Sequence, residues 1–108
     1  MAITLPAIVD TTAKFQPAQT KIINGQAVTY SDLVVHSFML SDVDDPEIYA
    51  SQPLWEWEQS EQGQWVMEHA VEVPWFSMQT DLATYSYKCI VVARMSQQDQ
   101  TFFKLKWK

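Results

Sequence analysis

Cysteine is nearly absent from this chain. Cys89 is the only one, so no intramolecular disulfide can form and a zinc site built from several thiolates is excluded. Glycine is almost as scarce. Gly25 and Gly63 are the only two, too few for a Gly-rich loop that cradles nucleotide phosphates. His36 and His69 are the only imidazoles, and they form no His-x-x-x-His pair, so a zinc hydrolase site would lack ligands. Basic residues are outnumbered, seven against thirteen acidic, for a formal charge of −6. That balance argues against non-specific nucleic-acid binding, which needs a net basic surface. Apolar runs are only a few residues long, too short to cross a bilayer. Met1 to Pro17 lacks a basic segment followed by an apolar one, so no signal peptide is expected. A cytoplasmic setting, or a particle assembled there, is the expected location.

What is present is apolar and aromatic. Hydrophobic residues make up 47% of the 108 positions, and five of them are Trp. This suits one domain with a real core. No internal repeat and no low-complexity tract occurs.

Residues 1–19 are rich in Ala, Thr, Gln and Pro, and read as an irregular arm that becomes a strand near Thr12 to Ile23. Residues 20–108 read as a single α+β domain. Asn24-Gly25 is the strongest turn signal, because both residues tolerate the positive φ of a type I′ hairpin. The hairpin's second strand continues through Leu33 to Leu40, a β-branched and aromatic run. Asp44 or Asp45 can cap a helix that starts at Pro46. Pro53 predicts a break after one short turn at 46–51, then a longer helix to about Ala70. Gly63 weakens that helix by about 1 kcal/mol relative to Ala, so a division near Ser60 to Gln64 is the alternative. Pro74 ends it, and Val73 to Met78 is a connection or a short edge strand.

Two strands are expected to follow. Ala83, Tyr85, Tyr87, Cys89, Val91 and Ala93 alternate with Leu82, Thr84, Ser86, Lys88, Ile90, Val92 and Arg94, and the first set faces the core. Phe103, Leu105 and Trp107 alternate with Phe102, Lys104, Lys106 and Lys108. A three-residue loop, Ser96 to Gln98, would pair Val91 with Phe103, Cys89 with Leu105 and Tyr87 with Trp107, so that apolar faces coincide. The expected fold is α+β, with a mainly antiparallel sheet of about four strands in ββαββ order and one helix packed on one face.

This register gathers Lys88, Ile90, Val92, Arg94, Phe102, Lys104, Lys106 and Lys108 on one sheet face, a candidate interaction surface with an apolar centre and a basic rim. Three readings stay open for it: contact with an acidic protein or cover by residues 1–19, nucleic-acid binding through stacking and phosphate contacts, or a solvated edge guarded by lysines. A candidate acidic surface comprises Asp42, Asp44, Asp45, Glu47, Glu56 and Glu58. Calcium loops need a turn glycine where this segment has Pro46, so capping is favoured over metal binding. Trp55, Trp57 and Trp75 are candidate aromatic anchors, since one helix face cannot bury Trp55 and Trp57 equally and exposed Trp anchors interfaces. Cys89 reads as a packing residue. No Gly-x-Ser-x-Gly occurs, and Glu68 and His69 point apart on a helix, so no catalytic set and no cofactor is expected.

The segments Asp42-Val43-Asp44-Asp45-Pro46-Glu47-Ile48-Tyr49-Ala50, Trp65-Val66-Met67-Glu68-His69 and Thr101-Phe102-Phe103-Lys104-Leu105-Lys106-Trp107 resemble small proteins of large tailed bacteriophages. The resemblance spans residues 28–108 and concerns packing residues. It implies a virion component or a host-directed factor that acts by binding. The expected function is therefore a non-enzymatic protein-interaction protein, with a protein partner or self-association and no small-molecule substrate. One alternative is an acidic inhibitor whose segment from Asp42 to Glu72 imitates nucleic acid. Others are a nucleic-acid binder using the basic face and an enzyme using His36 or His69 with the aspartates.

Overall fold

Asn24 and Gly25 adopt φ of 53° and 79°, the left-handed pair that closes a type I′ hairpin as the sequence predicts. The turn joins β1 (Gln19–Ile23) to β2 (Gln26–Leu40), with Ile23 opposite Gln26 and Gln19 opposite Tyr30. The structure is a computed structural model that describes Leu5 and residues 16–40, 46–83 and 85–107. After β2 come α1 (Pro46–Gln59), α2 (Glu61–His69), β3 (Trp75–Asp81), β4 (Ser86–Ser96) and α3 (Gln97–Lys106). The strands form one antiparallel sheet in the order β1-β2-β4-β3. The α+β class and the four-stranded antiparallel sheet are as expected. The helix count is not: the described residues hold three helices rather than one.

β2 is long because it serves two neighbours in succession. Gln26 to Tyr30 pairs with β1, and Tyr30 to Leu40 pairs with β4. The hairpin therefore projects past the end of β4, where Ser96 meets Tyr30, and every residue from Gln19 to Ala27 is exposed. This ribbon contributes to an elongated shape of 51 × 28 × 25 Å.

Alternation along β4 divides its side chains as predicted from Cys89 onward, whereas Ala83 and Tyr85, expected on the core face, lie in the turn before β4 and are exposed. Cys89, Val91, Ala93 and Met95 enter the main core with Val35, Ala50, Leu54, Trp57, Val66, Phe76 and Phe103. Ile90 and Val92 pack with Trp75 in a second buried cluster. Of the segment 73–78, Val73 and Pro74 form a connection and the rest belongs to the edge strand β3, with Trp75 opposite Val92. On β2 a bulge interrupts the register between Val34, opposite Val92, and His36, opposite Val91. The extra residue changes the phase of alternation. Leu33 precedes it on the core side, and His36 and Phe38 follow it opposite the core residues Val91 and Cys89.

The helices correct three expectations. α1 runs unbroken through Pro53, although proline removes one helical hydrogen bond. Ala50, Leu54 and Trp57 explain this: they recur at helical spacing on both sides of Pro53 and are all buried. The single helix expected over 53–70 is divided at Ser60, whose Oγ accepts from the Gly63 amide at 3.1 Å, a cap that starts α2. A Cβ at Gly63 would fall on the Trp57 carbonyl oxygen, so the close turn between α1 and α2 requires glycine.

The strand expected over 101–107 is helix α3, and the pairs Val91–Phe103, Cys89–Leu105 and Tyr87–Trp107 do not form. Ser96 caps the helix by accepting from the Asp99 amide at 3.2 Å. Phe103 is buried and Trp107 half-buried, one helical turn apart, while Thr101 and Leu105 are exposed. Trp65 joins these helices. Its ring stacks on His69 at 4.0 Å and on Phe102 at 5.3 Å, and meets Trp107 edge-on at 5.5 Å. Of residues 1–15 only Leu5 is described, and it is buried in the core.

Candidate functional site

The sheet face proposed as an interaction surface is not one surface. Phe102, Lys104 and Lys106 sit on α3, not on a strand beside Lys88. Ile90, Val92 and Arg94 are buried, whereas Lys88 is exposed, and Lys108 lies outside the described residues. Arg94 is held as a structural cation. Its guanidinium lies 3.3 Å from Asp32 Oδ1 and donates to the Pro17 carbonyl at 2.8 Å. Asp32 Oδ2 accepts from the Gln16 amide at 3.0 Å. Residues 16 and 17 thus hydrogen-bond to the Asp32–Arg94 pair.

Of the candidate acidic group, only Glu56 and Glu58 have described side chains. Asp42, Asp44, Asp45 and the side chain of Glu47 lie outside the described residues. Glu58 is buried and Glu56 exposed. The described residues hold no cluster of three His, Cys, Asp or Glu that could ligate a metal. No helix among them is long and apolar enough to cross a membrane. Trp57 and Trp75 are buried and Trp55 half-buried, so Trp55 keeps some surface free.

Trp57 instead contributes to a site that sequence reasoning missed. A groove of about 720 Å³ opens between the end of β2 and the junction of α1 with α2. β2 supplies His36, Phe38, Met39 and Leu40. α1 supplies Pro53, Glu56 and Trp57, the helix junction supplies Ser60, Glu61 and Gln62, and Trp107 follows α3. The β2 bulge places His36 and Phe38 toward this side, where the His36 ring stacks on Trp57 at 5.6 Å and 15°. Trp57 Nε1–H donates to Gln62 Oε1 at 2.7 Å. That bond satisfies the indole's polar atom and fixes the ring, which is 5% exposed beneath His36.

Electrostatically the groove is apolar with an acidic margin. Burial lowers the His36 pKa below its ordinary value, because desolvation penalises the imidazolium. Glu61 pairs with Lys106 Nζ at 3.0 Å, with both side chains well exposed. Glu56 Oε1 accepts from Gln52 Nε2 at 3.1 Å. Such an arrangement suits recognition by shape, aromatic contact and charge.

His69 occupies a different and smaller cavity of about 200 Å³, with Trp65, Gln98, Asp99 and Phe102. Its Nδ1–H donates to the Trp65 carbonyl at 2.7 Å. Comparison of the chain with protein-family models, with curated proteins and with solved structures found no match.

Proposed function

We propose that this protein is a non-enzymatic interaction module that seats a segment of a protein partner in the groove between β2, the α1–α2 junction and Trp107. The observation that carries this reading is the groove itself. Its volume lies in the range of ligand-binding clefts, and aromatic side chains held by packing form its walls. Rigid aromatic surface that is already ordered costs little further entropy on binding and is the usual material of interface anchors. The exposed Ile48, Tyr49 and Met39 add apolar surface on the elements that form the groove. The phage setting rests on the sequence resemblance, and within it the module would act in assembly or on a host protein.

The test is selection of peptides from a random library against the full chain. A photoreactive phenylalanine replaces Met39 at the groove in one variant and Thr20 in the projecting hairpin in another. Selected peptides that crosslink from position 39 and not from position 20 support the groove. Peptides that crosslink only from position 20 would move the interaction to the hairpin and overturn the reading.

A further inference from the structure

We propose that the groove takes an arginine side chain carried by a basic segment of the partner. This rests on the groove being the docking site and names the chemistry of its occupant.

Charge complementarity and an internal precedent carry the argument. Lys106 already shows how a cation is held at this margin. Its ammonium lies 3.0 Å from Glu61 Oε1 and 5.0 Å from the centre of the Trp107 ring. A carboxylate and an aromatic face thus share one cation, the combination that attracts lysine and arginine. Glu56 provides a second carboxylate at the same groove. It accepts from the neutral amide of Gln52, and none of the ion pairs among the described residues uses it.

The walls match the rest of an arginine side chain. Trp107, Phe38 and Leu40, each half-buried, offer apolar and aromatic surface to its methylene stem. The guanidinium is planar, stacks on rings and forks onto a carboxylate, which an ammonium does less well. Burial of His36 keeps its imidazole neutral near pH 7, so the wall adds no competing positive charge. A phosphate would meet Glu56 and Glu61 instead, which disfavours nucleic acid here.

The experiment uses the full chain labelled with ¹⁵N and follows the indole N–H signals of Trp57 and Trp107. Three blocked peptides are titrated: Leu-Arg-Leu, the same peptide with uncharged citrulline, and the same peptide with norleucine. The arginine peptide is expected to move both indole signals, and citrulline to weaken binding about tenfold. Glu56→Gln should remove most of that difference. Lys106→Met, which frees Glu61, should tighten the arginine peptide about twofold. Glu56 and Lys106 are exposed, and unchanged signal dispersion confirms that each variant folds.

Equal binding of all three peptides with both indoles shifted would overturn the arginine proposal and leave the groove as an apolar docking site. No shift of either indole with any peptide would overturn both readings. A doubling of solution mass that blocks the peptides would place a second copy of the chain in the groove and overturn the arginine proposal.

Discussion

The imidazole of His36 stacks on the indole of Trp57, with 5.6 Å between ring centres and 15° between planes. The contact joins β2 to α1 and forms one wall of the groove. It has a consequence for pH. Burial lowers the His36 pKa in the folded chain, so just below the ordinary value of 6.5 the unfolded chain binds a proton that the folded chain does not. Stability therefore rises with pH through this window and is complete above about 6.5. Urea unfolding between pH 7.5 and 5 should show a falling midpoint, with the fall reduced in His36→Gln. An identical pH slope in wild type and variant would remove His36 as its source.

Gly63→Ala should destabilise the protein, against helix propensity. Alanine gains about 1 kcal/mol over glycine in a helix interior. Here the added methyl would meet the backbone oxygen of Trp57. Backbone cannot step aside as a side chain can, so a net loss of about 2 kcal/mol is expected. Thermal unfolding measures it, and a raised Tm would contradict the close approach of α1 and α2.

Arg94 and Asp32 form a pair whose side chains are 4% and 9% exposed. Loss of the arginine alone leaves a carboxylate in a place closed to water. Arg94→Met should therefore cost about 3–5 kcal/mol, and Asp32→Asn with Arg94→Met should cost less than Arg94→Met alone. Denaturant midpoints of Arg94→Met, Asp32→Asn and the double variant decide this. Additive losses would mean that the two charges do not depend on each other.

Cys89 is wholly buried, and burial pushes its thiol up to about 12. The thiolate is the reactive form. Iodoacetamide at pH 8 should leave the folded protein unlabelled and modify it at the rate at which the chain opens. Fast labelling without denaturant would show that β4 is accessible.

Much of the sheet is legible in the sequence because its signals are local. Asn24-Gly25 carries its own φ preference, and period-two alternation marks Cys89, Val91 and Ala93 as one face without knowledge of their partners. The segment that forms helix α3 also fits a strand pattern, because Phe103 and Trp107, four residues apart, satisfy both periods. The Ser96-x-x-Asp99 spacing is the signal that separates the two, since a serine three residues before an acidic residue caps a helix. Burial of Arg94 is not legible, because alternation places a residue on a face without saying what covers that face.

Composition and local pattern thus determined the class of fold, the hairpin, the main strands and the excess of negative charge. Tertiary structure alone decided the groove. Its walls come from β2, the α1–α2 junction and the residue after α3, and the β2 bulge sets the phase of His36 and Phe38 among them. A bulge depends on pairing with a distant strand, so no window of sequence around Val35 contains the reason for it.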